Sequence, residues 1–66
     1  MTKVLFRVGD TDPVIEDVQR WLLSPTVDGV FSDDLQVRVR GFQWIHNLPT
    51  HGLLDEETLS ILRGDG

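Results

Sequence analysis

Sixty-six residues set one small domain, near the lower limit for a chain that folds without help. An apolar fraction of 39% beside 26% charge is that of a globular domain rather than a disordered tail. A net charge of −5 argues against nucleic acid or an anionic membrane as partner, and the lack of cysteine excludes disulfide staples and thiolate zinc sites.

The opening MTKVLFRVGD holds an apolar run too short for a signal peptide. No segment approaches the roughly 20 apolar residues of a transmembrane helix. The expectation is a soluble chain with no export signal of its own.

DTDPVIEDVQRWLL reads as the first helix. Asp12 is a natural N-cap, Pro13 suits the first helical position, and Glu16 and Asp17 complement the helix dipole. Ile15, Val18 and Leu22 make one apolar face that Trp21 widens. Pro25 ends the helix by Ser24.

SPTVDGVF is a loop with an Asp-Gly turn signal, after which Ser32 caps a second helix. Leu35, Val39, Phe42 and Ile45 (or His46) form its core-facing stripe. Gly41 within it costs about 1 kcal/mol relative to alanine, which points to close packing or a compensating contact. Asn47 suits the left-handed residue at the helix end, and Pro49 follows. THGLL returns to a turn, Asp55 caps a third helix with Glu56 and Glu57 in its first turn, and Leu59 with Leu62 or Ile61 faces inward. RGDG reads as a frayed tail.

One device occurs twice. Gly29-Val30-Phe31-Ser32-Asp33-Asp34 matches Gly52-Leu53-Leu54-Asp55-Glu56-Glu57 at an offset of 23 residues. In each copy a glycine bends the chain, two apolar residues plug the core, and a capped acidic turn starts a helix. The expected fold is all-α: a compact three-helix domain, residues 1–66 with a core over about 6–62, built on two glycine turns.

The order Ile15-x-x-Val18-Gln19-x-x-Leu22, Asp28-Gly29-x-Phe31, Val39-x-x-Phe42-Gln43, Leu48, Gly52-x-Leu54, Thr58, Leu62 resembles the peptidoglycan-binding-like domain. That three-helix module is attached to many bacterial and phage cell-wall hydrolases. The resemblance implies non-catalytic attachment to peptidoglycan, through its glycan or its stem peptide, with the chemistry supplied elsewhere. It also implies action at the cell wall, from a phage virion or from host cytoplasm until lysis.

Trp44 departs from the family, which usually has a polar residue there. On a helical wheel it sits with Val37, Arg40 and Gly41, away from Leu35, Val39 and Phe42. Tryptophan beside arginine suits stacking on a sugar or anchoring a protein interface. The competing reading is that the arm KVLFRV folds over it. Arg38 and Arg40 can pair with stem-peptide carboxylates or stand as solvated cations. Gln19 and Gln43 are expected to hydrogen-bond the inter-helix loops. Asp28 and Gly29 read as turn chemistry, and His51 as its weaker counterpart or as a ligand contact. The residues expected to touch a ligand or partner are Trp44, Arg40, Gln43, His51, Val37 and Arg38.

Metal-ligand spacing, a phosphate loop and a serine elbow are missing, so no enzyme, metal or cofactor is expected. The carboxylate pairs lie at helix N-termini, where the dipole explains them. The alternative is a structural protein reusing the fold, such as a small capsid or tail subunit binding other virion proteins. Met1, the single-module length and the missing export signal raise it.

Overall fold

The computed structural model describes residues 3–64. Along the chain lie strand β1 (Val4–Phe6), helices α1 (Pro13–Trp21) and α2 (Asp33–Ile45), strand β2 (Leu54–Asp55) and helix α3 (Glu56–Arg63). The three helices are as expected. The fold is not purely helical, however, because β1 pairs antiparallel with β2, Val4 opposite Asp55 and Phe6 opposite Leu54. The arm KVLFRV must satisfy its backbone somewhere, and β2 supplies the partner just before α3 begins. The Glu56 N–H extends the tie by donating to the Lys3 carbonyl at 2.9 Å.

Each helix starts where its cap dictates. The side chains of Asp12, Ser32 and Asp55 accept from the backbone N–H groups of Val14, Leu35 and Thr58. Such caps each stabilise a helix by typically about 1 kcal/mol. The ends of α1 and α2 share one closure: Ser24 N–H donates to the Gln19 carbonyl and Leu48 N–H to the Gln43 carbonyl, both at 2.8 Å. The residues before them, Leu23 and Asn47, are left-handed at φ +57° and +58°. Asn47 tolerates this as expected; Leu23 does so under strain. α3 runs through Arg63, the first residue of the supposed tail, and Gly64 closes it at φ +84°. Asp65, the last residue of the Arg-Gly-Asp tripeptide, falls outside the described residues.

The core is Ile15, Val18, Phe31, Leu35, Val39, Leu54 and Leu59. Only one apolar residue of each turn plugs it fully, Phe31 and Leu54; Val30 is exposed and Leu53 half-buried. Two helix faces also differ from the periodicity argument. Trp21 is exposed and Gln19 buried in α1, while in α2 Ile45 is 71% exposed, His46 is exposed, and Gln43 is fully buried. The inward positions are i, i+4 and i+8 from Leu35, and the last belongs to a glutamine because a loop offers it hydrogen bonds. Among the described residues no buried side-chain polar atom lacks a partner. No described helix is long and apolar enough to cross a membrane.

Gly41 meets no packing neighbour: a Cβ built there finds nothing within 4 Å. The expected compensating contact does not exist within the fold. Gly41→Ala should therefore stabilise the domain by about 1 kcal/mol and raise Tm by roughly 5 °C, read by thermal denaturation. A lowered Tm would show that α2 needs the glycine.

Candidate functional site

The polar groups of the two turns flanking α2 are taken up within the fold, each turn by one buried glutamine, as expected for Gln19 and Gln43. Gln19 Oε1 accepts from the Asp28 and Gly29 N–H groups at 3.0 Å each, while its Nε2 donates to Asp28 Oδ1 (2.9 Å) and the Val30 carbonyl (3.1 Å). Gln43 repeats the device: Oε1 accepts from Gly52 N–H (2.9 Å), and Nε2 donates to the Leu53 carbonyl (2.8 Å) and Thr58 Oγ1 (3.0 Å). Both glycines are left-handed, at φ +74° and +77°. A Cβ on Gly52 would sit 2.8 Å from Gln36 Cγ, and one on Gly29 3.2 Å from the Asp12 carbonyl oxygen. These positions accept only glycine without strain.

Asp28 completes the first turn, its Oδ1 also accepting the Val30 N–H at 3.0 Å. The hydrogen bond from Gln19, then that from Val30, hold its carboxyl below the usual value of 3.8. A depressed folded-state pKa contributes stability that is present above the unfolded value and lost as pH falls through the folded one. Stability should thus fall below about pH 4, and Asp28→Asn should flatten that acid limb, seen by urea melts at pH 7 and pH 2.5. An unchanged acid limb would remove Asp28 from the account.

His51 has the matching place in the second turn. Its Nδ1 accepts the Leu53 N–H at 3.0 Å, which leaves Nε2 to carry the proton toward Asp55 Oδ2 at 3.2 Å. Asp55 is buried and caps α3 through its other oxygen. Both ring nitrogens of His51 thus serve the fold. Arg38 is likewise engaged, bonded to Asp34 at 2.9 Å and reaching the Leu22 carbonyl at 3.4 Å. Gln43, at 0% exposure, is out of reach of any surface ligand.

Trp44 is different. It is 73% exposed, and the N-terminal arm that was to cover it is instead paired with β2. It stands beside an open cleft of about 590 Å³ that it lines with Ile45, Asn47, Leu48 and Thr50. Val37, 62% exposed, and the exposed Arg40 continue this face along α2 without lining the cleft. Of the six candidates only Trp44 is at the cleft. Asn47 and Thr50 were missed, because a loop residue carries no periodicity to mark it; their one signal is polar chemistry on either side of a proline. The Asn47 side chain makes no hydrogen bond to any described residue, and the Thr50 hydroxyl donates only to the Leu48 carbonyl, at 3.1 Å. Phe42 and His46, with ring centroids 4.2 Å apart, pack against each other near the end of α2.

The family model described as "Putative peptidoglycan binding domain" matches residues 11–62, spanning all three helices apart from the last residue of α3 and including both stapled turns. The chain belongs to the peptidoglycan binding domain family. No curated protein and no solved structure matches it. Membership accounts for the helices and turns as a unit, since the match includes Gln19, Gly29, Gln43 and Gly52 and begins after β1. The family description fits a module that binds the cell wall.

Proposed function

We propose that the chain is a non-catalytic cell-wall module that holds the glycan of peptidoglycan in the cleft at the end of α2. The supporting observation is Trp44, exposed at an open cleft in a chain of a family described by peptidoglycan binding. An indole face stacks on the apolar face of a sugar ring and excludes water there. Asn47 offers an amide donor and acceptor, and Thr50 retains acceptor lone pairs; acetamido and hydroxyl groups need both. Arg40, one turn before Trp44 on an acidic protein, steers and pairs with carboxylates of attached stem peptides. In this reading Gln43 and His51 shape the loop that carries Thr50, and Arg38 braces α1 against α2.

The test is co-sedimentation with purified sacculi at physiological salt. The protein is expected in the pellet; protein left in the supernatant would overturn the reading.

A second reading rests on the length of the exposed apolar face, which continues from Ile45 and Trp44 to Val37 beyond the cleft. A virion subunit from a phage would use that face against another virion protein. Assembly with such a protein that survives Val37→Asp would dismiss it.

A further inference from the structure

The face of α2 turned away from the core is apolar and has a notch in it. Val37, Gly41, Trp44 and Ile45 fall there, opposite the buried Leu35, Val39 and Gln43, and all four are exposed. Gly41 leaves open space over the backbone between large side chains, since a Cβ built there meets nothing within 4 Å. A glycine inside a helix weakens it, and no contact within the described fold requires one here. Close approach of another molecule to the backbone is the physical use of such a residue. Between Val37 and Ile45 the only charged residues are Arg38 and Arg40. Arg38 is bonded to Asp34, while the side chain of the exposed Arg40 has no partner among the described residues.

The stripe is complementary to itself. Two α2 helices laid antiparallel about a two-fold axis midway between the levels of Gly41 and Trp44 bring the indole of each copy over the notch of the other. The offset is three residues, about 4.5 Å along the helix, and symmetry makes the same contact twice. Arg40 of each copy then lies about one residue's rise, roughly 1.5 Å along the axis, from the level of the other copy's Trp44, so a free cation meets an electron-rich ring. A chain of net charge −5 repels its own copies, but this stretch of α2 holds no carboxylate. Val37, Trp44 and Ile45 expose on the order of 400 Å² per copy, within the range of the largest apolar patch on a typical monomer. Two such faces bury on the order of 800 Å², which suits a weak, reversible pair rather than a permanent one. We infer that the protein pairs with a second copy of itself through α2, Trp44 of each copy seated on Gly41 of the other. The inference does not rest on the wall-binding reading. It uses the same indole, however, so a copy held in the pair cannot hold glycan in the cleft, and the two partners compete.

The experiment is sedimentation equilibrium of the full chain from about 10 µM to about 1 mM, the range in which an interface of this size associates. The average mass should rise from 7.5 kDa toward twice that value. Gly41→Ala should act in opposite senses on fold and pair: Tm rises, as argued above, while association weakens at least about tenfold because the added methyl overpacks the notch. Trp44→Ala, at an exposed position, should weaken association by a similar factor without lowering Tm, and Arg40→Gln should weaken it about threefold. A mass that stays at 7.5 kDa at the highest concentration would overturn the inference and leave the wall-binding reading standing. Association that neither Gly41→Ala nor Trp44→Ala weakens, or growth past a dimer, would overturn it as well, because the contact would then lie elsewhere.

Discussion

Gln43→Met should leave the chain largely unfolded at room temperature. The substitution keeps the side-chain volume and removes both polar ends of a residue with no solvent exposure. Three groups lose their partner at once: the Gly52 N–H, the Leu53 carbonyl and the Thr58 hydroxyl. A stranded buried group costs about 1–3 kcal/mol, so roughly 3–9 kcal/mol is at stake. A domain this small has only about 3–10 kcal/mol in total. Gln19→Met removes a similar set of bonds but should cost less, because Asp28 is exposed and water can replace part of what is lost. Circular dichroism melts of the two variants check the order. A Gln43→Met protein as stable as the parent would mean that the turns fold without their staple.

Trp44→Ala should do the opposite, leaving the fold alone and removing function. With most of the indole in solvent, its loss should change stability by no more than about 0.5 kcal/mol. An aromatic anchor at a binding site is worth about 2 kcal/mol or more, which corresponds to a roughly thirtyfold loss of affinity. Binding isotherms on sacculi, paired with thermal melts, separate the two effects. Equal affinity in the variant would remove Trp44 from the site; a large drop in Tm would show that the indole packs against its own chain.

Capping chemistry made the helices legible: Asp12, Ser32 and Asp55 are each followed by a charged or proline-led first turn, and each caps as its residue type dictates. The left-handed glycines at 29 and 52 were legible for the same reason, since a local motif needs only neighbours in sequence. What the periodicity misjudged was polar. Gln19 and Gln43 are buried where Trp21 and Ile45 were expected, because hydrogen bonds to loops and to α3, nine to fifteen residues away, decide their burial. The β1–β2 pairing escaped for a related reason, as its partners lie about fifty residues apart and β2 is two residues long. At the cleft, Trp44 announced itself as an apolar residue on the wrong face. Asn47 and Thr50 gave no such sign, and His51, a candidate by residue type, has both ring nitrogens bonded within the chain.

The domain contains a built-in control for its central claim. Trp21 and Trp44 are its two tryptophans, and each indole N–H gives its own resonance. Trp21 sits at the end of α1 and is not among the residues that line the cleft. The decisive measurement adds soluble glycan chains stripped of their stem peptides to the isotopically labelled protein and follows both indoles. The Trp44 resonance should move with increasing glycan, together with the amides of Asn47 and Thr50, while Trp21 stays in place. Movement of Trp21 instead, or of neither indole, would contradict glycan binding at the α2 cleft.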